Sequence, residues 1–457
     1  MSDAAASLAS LAAEQSSLIA RSRDYLRAAR ERGVDVAMHP ECYLSGWSNV
    51  RGNARLLCLA GQRGARLKLG ARRVKDALNV MRQGGQRVIG DAPADQYDDL
   101  VVTWCRASDF AEDGTYRDRY FRTSSRDTPR TLWFAIALDE PGHGRRDPNV
   151  RVFARGAGEP ALSPAMLAGE VLRGPRKRGD GRVPWLSGIV THAENLVVAV
   201  SATLHAGQFR RVILPYEAQP FQHAVYRAVK RIAPQVRTLG YLHSALPPVP
   251  ADLSYRPGAP ELLLVHGSAQ RDILERLLGW PREAMRTIPS LRYRADDTNS
   301  LARFIFLPMD FSDSASIVGE FRTFLAAAPA GSLAPLTVRN HPVMRESKRH
   351  LQLERQLGDL LAQYADRFSE SPDAEPLSVF IGATAAIVEA LERGVSVVHI
   401  CSQPLTEAHT PEVWRGFEVK RFGRFLFRYR LRDRGSYISF GAGDGLFEQY
   451  IREGELR

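Results

Sequence analysis

The chain has 457 residues, 44% of them hydrophobic and 25% charged, and 62 Lys+Arg against 51 Asp+Glu give a formal net charge of +11. Length and composition fit an ordinary globular protein of about two to three domains and exclude a fibrous or disordered chain. The positive balance favours an anionic partner without choosing among nucleic acid, a phosphorylated ligand and an acidic membrane face.

The four cysteines, Cys42, Cys58, Cys105 and Cys401, form no CxxC pair. That argues against a disulfide framework or a structural zinc site and fits a reducing compartment. No apolar run reaches the ~18 residues of a membrane span. MSDAAASLASLAAEQ lacks the basic start and continuous apolar stretch of a secretory signal. A cytoplasmic location is the expectation.

LIARSRDYLRAARERG reads as an amphipathic helix ended by Gly33. Short aliphatic and β-branched runs follow it. In the first half they are VDVAM (34–38), DLVVTWC (99–105), TLWFAIAL (131–138), NLVVAVS (195–201), RVILPYE (211–217) and VRTLGYLHS (236–244). In the second half they are ELLLVHG (261–267), ARFIFLPMD (302–310), PLTVRNHP (335–342), LSVFIGA (377–383) and VSVVHIC (395–401). None alternates apolar with polar, as expected of strands covered on both faces in a parallel sheet. Helical spacing appears in FQHAVYRAVKRIA, AQRDILERLLGW and ATAAIVEALERG. Strand and helix alternating twice over predict an α/β chain of two Rossmann-like lobes, with parallel sheets facing across a cleft.

The proline-rich stretch ALPPVPADLSYRPGAPE (245–261) is poor material for either element and marks the divide. Residues 1–250 then form an N-terminal lobe whose first ~90 residues are irregular, 255–440 a C-terminal lobe, and 441–457 a tail. The basic, glycine-rich EVLRGPRKRGDGR (170–182) reads as a solvated loop or a binding arm.

In open α/β sheets ligands bind outside the carboxyl ends of the strands, so polar residues there carry most weight. Four places qualify. Gly382 and Thr384 lead from a strand into a helix, where a phosphate can sit, with Glu389 further along for a ribose hydroxyl. Arg339, Asn340, His341 and Pro342 end another strand, with an imidazole suited to a phosphate. Glu217 and Gln219 follow a third; Glu217 is either a helix-dipole carboxylate or a group that binds the acceptor or assists chemistry. In the same lobe His243 closes the next strand, and His266, Gly267 and Ser268 close the one after the divide, with Ser268 as a helix cap. The fourth place is FAEDGTYRDRYF. There Asp113 sits on a glycine turn, its pKa raised by the like charge of Glu112 and lowered by Arg117 and Arg119.

Taken together, Glu112-Asp113-Gly114, His341-Pro342 and the Gly382-Ala383-Thr384 turn resemble nucleotide-sugar glycosyltransferases of the GT-B architecture. More narrowly they look like bacterial sialyltransferases and Kdo transferases. TWCRASDFAEDGTYRDRYF and YEAQPFQHAVYRAVKR with VRTLGYLHS also look like surface carbohydrate biosynthesis proteins. The likeness is patchy over roughly 98–400, and the paired serines of those families are absent at 382–384.

The resemblance implies a transferase acting in surface polysaccharide biosynthesis on a sugar carried by a nucleotide, a CMP-linked ulosonic acid. Asp113 would be the base, aided by Glu112 and Glu217. His341, Pro342, Thr384 and their neighbours would hold the donor, and Gln219, His243 and Arg117 the acceptor. It implies no cofactor and no metal, a glycan or lipid-linked acceptor, and no nucleic-acid partner. WRGFEVKRFGRFLFRYRLRDRG (414–435) interleaves aromatics with arginines, which suits peripheral contact with an anionic inner membrane or an inter-lobe segment whose aromatics pack inward. Two rival readings are a nucleic-acid-binding protein that uses the basic surface and a catalytically inactive scaffold in envelope glycan assembly.

Overall fold

A computed structural model of the chain describes residues 2–31, 33, 35–37, 85–90, 96–142, 144–155, 188–297, 301–309, 311, 313–341 and 344–453. Cys42, Cys58, Pro342 and the basic segment 170–182 lie outside the described residues.

Two parallel-rich sheets organise the molecule. The first is built from β1 (Gln86–Ile89), β2 (Asp99–Cys105), β3 (Thr131–Ala137), β4 (Val150–Arg155), β5 (Arg211–Pro215), β6 (Arg237–Tyr241), β7 (Leu262–Val265) and β8 (Met285–Thr287). Their spatial order is β1-β4-β3-β2-β5-β6-β7-β8, with only β1 antiparallel to its neighbour. Starting from β2, the chain lays strands to one side and then returns to the other. This is the Rossmann winding, and its topological switch point falls between β2 and β5. All seven residues of β2 are buried, as its unbroken apolar run requires.

The second sheet contains β10 (Phe304–Phe306), β11 (Thr337–Arg339), β12 (Leu377–Ile381), β13 (Ser396–Ile400), β14 (Phe417–Arg421) and β15 (Leu426–Leu431). Its order is β11-β10-β12-β13-β15-β14, parallel through β13 and closed by an antiparallel hairpin. Its switch point lies between β10 and β12. The two-lobed α/β expectation is met.

The lobe boundary differs from the compositional one. β7 and β8 follow the proline-rich stretch yet hydrogen-bond into the first sheet, so that stretch is a crossing within the first lobe. It is held as a packed loop: Trp280 Nε1 donates to the Leu253 carbonyl (2.6 Å) and Arg256 Nη2 to that of Asp252 (2.6 Å). The chain changes sheets through β9 (Ser290–Arg294), which pairs with β16 (Phe440–Gly441). The residues after 441 are no free tail, because Phe447 packs on Phe121 and Trp133 of the first lobe.

NLVVAVS is not a strand. It lies within helix α2 (Gly188–His205), where Ala193, Leu196, Val200 and Leu204 are buried and Val198 is 70% exposed. That spacing is helical, and the β-branched run conceals it. VDVAM yields a turn at 36–37, where the Ala37 N–H donates to Asp35 Oδ1 (3.2 Å). The remaining long helices are α1 (Ser2–Glu31), α3 (Pro220–Ile232), α4 (Ser268–Leu278), α5 (Ser314–Ala327), α6 (Lys348–Gln363) and the shorter α7 (Ala386–Glu392).

One core runs through both lobes, and specific contacts stitch them. The buried Glu392 carboxylate on α7 accepts the N–H groups of Tyr437 (2.6 Å) and Ile438 (3.0 Å). The adjoining Ser436 carbonyl accepts the Ala269 N–H at the start of α4 (2.8 Å). From the other end, Gln15 of α1 donates to the Ala408 carbonyl (2.7 Å) and accepts from Thr410 Oγ1 (2.7 Å). The aromatics of the 414–435 segment pack inward at Trp414, Phe417, Phe427 and Tyr429, while Phe422 at the hairpin tip is exposed. Among the described residues no helix is long and apolar enough to cross a membrane.

Candidate functional site

The loop leaving β2 is organised by Asp118. Its carboxylate is buried and accepts from Thr103 Oγ1 (2.7 Å), Tyr116 Oη (2.8 Å), and the N–H groups of Tyr120 (2.8 Å) and Phe121 (2.7 Å). Burial pushes its acidity down, raising the pKa against those hydrogen bonds. The loop therefore returns over the sheet and lays Tyr120 beside Trp104, with ring centroids 5.4 Å apart.

At the other side of the switch point β5 ends in the turn 215–219. Gln222, in the first turn of α3, pins it by accepting the N–H groups of Glu217 (3.0 Å) and Gln219 (2.9 Å). Between them Ala218 is left-handed at φ 56°, a strained setting for a residue with a Cβ. The result is a fixed carboxylate. Glu217 Oε1 lies 3.1 Å from His243 Nε2, and Gln219 Nε2 donates to Glu217 Oε2 (2.8 Å). His243 follows β6 and is almost wholly buried, whereas the Glu217 side chain is 18% exposed. Tyr120 closes over the imidazole at 4.6 Å between ring centroids. Facing a carboxylate, Nε2 is the donating ring nitrogen, and among the described residues Nδ1 has no hydrogen-bond partner.

Residues of the linking strand and the second lobe complete the surroundings. The Arg292 guanidinium stands 6.0 Å from the Tyr120 ring and 5.4 Å from the Tyr293 ring. Its charge acts on Tyr120 of the first lobe and on Glu389 of the second. Among the described residues no carboxylate forms an ion pair with it. Glu389 Oε1 pairs with Arg393 Nε (3.1 Å), and Arg393 and Arg122 both reach Asp297 (3.7 and 2.6 Å). Burial raises the Glu389 pKa. The carboxyl ends of β2, β5 and β6 thus meet the helix that follows β12 around one arginine.

Other sequence-identified residues are placed differently. Asp113 is 54% exposed and bound to Arg126 Nη1 (2.7 Å). The Thr115 N–H and the Arg126 charge hold its pKa below the usual carboxylate value, so Arg126 replaces Arg117 and Arg119 as its partner. Arg119 pairs with Asp109, and Glu112 and Arg117 are exposed. Asp113 and His341 are not brought together: His341 follows β11 at the edge of the second sheet, where burial and the nearby His350 lower its pKa. Arg339 lies over Phe304 and Phe306, and Asn340 donates to Glu354 (3.4 Å).

The Gly382 N–H is already given to the Ile400 carbonyl (2.9 Å), and Thr384 Oγ1 accepts from the Ala386 N–H (3.2 Å). The Gly382 N–H is thus used by the sheet, and the Thr384 hydroxyl oxygen serves as an acceptor within the turn. Gly267, not Ser268, caps α4, and a Cβ there would run into the Ser436 carbonyl. His266 is buried, stacked on Tyr241, and desolvation lowers its pKa to about 3. Gln219 and His243, expected to meet an acceptor, both hold Glu217.

Sequence reasoning missed Asp118 and Arg292. Asp118 sits five residues from Asp113 in the same stretch, and no short pattern separates an anchoring acid from an exposed one. Among the described residues no group of three His, Cys, Asp or Glu side chains is arranged to hold a metal ion.

No protein-family model and no curated protein matches the chain. Among solved structures, sucrose-phosphate synthase from Thermosynechococcus elongatus is similar over 65% of this chain and 80% of its own, at 14% identity and a TM-score of 0.32. A likeness that faint carries no argument about fold or activity.

Proposed function

We propose that the protein is a glycosyltransferase of the two-lobed GT-B kind, moving a sugar from a nucleotide donor to a hydroxyl of a glycan acceptor. The observation that carries this reading is the Glu217 carboxylate, braced by His243 and Gln219 at the switch point of the first sheet. Arg292 stands nearby, unpaired among the described residues.

In this reaction the acceptor hydroxyl attacks the anomeric carbon as Glu217 removes its proton. The bond from that carbon to the phosphate oxygen breaks, and the nucleotide leaves with the electron pair. A carboxylate fixed from two sides suits the base role. A guanidinium without a counter-carboxylate suits the phosphate charge that develops on departure. Glu389 and Arg393, on the second lobe, suit the polar groups of the donor.

The narrower reading keeps the family implied by the sequence. The donor is a CMP-linked ulosonic acid, whose single phosphate needs a single cation, and the product belongs to a surface polysaccharide. The acceptor is a glycan or lipid-linked glycan, met at the cytoplasmic face of the inner membrane. Asp113 and His341 take no part in the chemical step in this account.

Incubation with CMP-, UDP- and GDP-sugars, with released nucleotide followed by chromatography, tests the proposal. Release from a CMP-sugar, suppressed by Glu217→Gln, is expected. Absence of release from all three donor classes in the presence of mixed glycan acceptors overturns it.

A further inference from the structure

A cavity lies away from the switch points. Helix α1 presents Arg23, Arg27 and Arg30, at spacings of four and three that place them on one face. They look onto the loop 254–259 and the end of α4 at Leu278–Gly279. Between these walls is an open cavity of about 660 Å³, lined also by Arg256 and Tyr255. α4 starts at the carboxyl end of β7 and runs back across the sheet, so its last residues mark the edge of the first lobe opposite Glu217.

The cavity's charge is one-sided. Among the described residues four arginines line it against one carboxylate, Asp24, and that acid is bound to Arg27 (2.5 Å). Asp35, the next acid along the chain, is bound to Arg227 (2.9 Å). Among the described residues the Arg30 guanidinium has no hydrogen-bond or ion-pair partner, while the Arg30 carbonyl accepts the Gly33 N–H (2.9 Å). Arg23 donates to the Leu277 carbonyl (3.1 Å) through Nη1. Arg256 is buried and donates to the Asp252 carbonyl (2.6 Å), which fixes its position at the back of the cavity. Tyr255 is 47% exposed, and its ring rests on Trp280 (5.2 Å between centroids). It offers a flat apolar wall beside the charges.

Like charges gathered around a hollow repel one another, and an anion in the hollow relieves the repulsion. Guanidinium groups match phosphate oxygens in charge and geometry. The volume exceeds that of a phosphate ion and leaves room for an organic portion against Tyr255. We propose that this cavity binds a phosphorylated organic anion of at least two negative charges, contributed by a soluble phosphate ester or by the headgroup of a phospholipid. This proposal does not depend on the transferase reading.

The test uses the full chain and two probes: inorganic pyrophosphate, followed by isothermal titration calorimetry at low ionic strength, and sedimentation with phosphatidate vesicles against phosphatidylcholine vesicles. Arg23→Gln/Arg27→Gln/Arg30→Gln removes three exposed cations and leaves the core untouched, and Arg30→Gln alone is the milder variant. Binding of either probe, weakened about tenfold or more in the triple variant and less in the single one, supports the site. Pyrophosphate binding identifies a soluble ligand, and phosphatidate-selective sedimentation a lipid one. Binding undiminished by the triple substitution, or no binding of either probe, overturns the proposal. Glu217→Gln should leave both results unchanged, so failure here is separable from failure at the inter-lobe site.

Discussion

Glu217 Oε1 and His243 Nε2 stand 3.1 Å apart, on loops that follow adjacent parallel strands of the first sheet. The pair lies beside the point where the strand order reverses, and the imidazole is the buried partner while the carboxylate is partly exposed. This division makes Glu217 the catalytic candidate and His243 a positioning residue. Replacing Glu217 by Gln should lower turnover about a hundred- to ten-thousand-fold while nucleotide affinity changes less than about threefold. His243→Gln, which preserves a donor to the carboxylate, should recover part of the activity that His243→Ala loses. Steady-state kinetics that separate kcat from KM check both.

Asp118 predicts a stability effect instead of a chemical one. Asp118→Ala leaves two hydroxyls and two backbone N–H groups without their buried acceptor. The expected loss is about 3 kcal/mol or more, with Asp118→Asn costing less. Urea denaturation measures it. Asp113→Ala should leave the urea midpoint nearly unchanged, since its exposed ion pair is screened by solvent.

That contrast shows how far the sequence can be read. DLVVTWC, RVILPYE and LSVFIGA are legible as strands because burial on both faces demands unbroken apolar runs. Glu217, His243 and Glu389 follow from position at strand ends. Asp113 and Asp118 share one stretch and one chemistry, and only tertiary contacts separate the exposed acid from the anchor. Arg292 is invisible for the same reason, since it serves two lobes from a linking strand. The misplaced boundary at 245–261 has a different cause: prolines mark irregular backbone, and here that backbone is packed within a lobe.

Acid should destabilise the protein through its buried imidazoles. Desolvation lowers the pKa of His223, His266, His399 and His409, His266 to about 3 and His399 to about 4. Below about pH 6.5 the unfolded chain takes up protons that the folded chain refuses. Each such group therefore removes up to about 1.4 kcal/mol per pH unit as pH falls from there toward its folded pKa. Asp118, Glu389 and Glu392 have raised pKa values and act oppositely, stabilising at low pH and less as pH rises. The clean comparison is His409→Phe, because among the described residues both ring nitrogens of His409 lack hydrogen-bond partners and the ring is stacked on Phe417. Stability at pH 7 should stay within about 1.5 kcal/mol of the parent. The loss between pH 6.5 and 5 should be smaller, as read from denaturation midpoints across that range.

Gly267 tests the stitching of the lobes. Its φ of −162° is open to any residue, so the constraint is space alone: an added Cβ meets the Ser436 carbonyl, with Ser436 C and Tyr437 C at 2.7 and 2.8 Å. Gly267→Ala should cost about 1–3 kcal/mol and loosen residues 435–438 from Glu392. Amide exchange of Tyr437 and Ile438 should accelerate with it.

The central claim, an anionic nucleotide held between the lobes at Arg292, is tested most directly by thermal-shift titration of CMP, CDP, UDP and GDP into the parent and into Arg292→Ala. The account predicts that at least one nucleotide raises the melting temperature with the logarithm of its concentration, and that this rise disappears in Arg292→Ala. No rise with any nucleotide, or a rise of equal size in the variant, would contradict it.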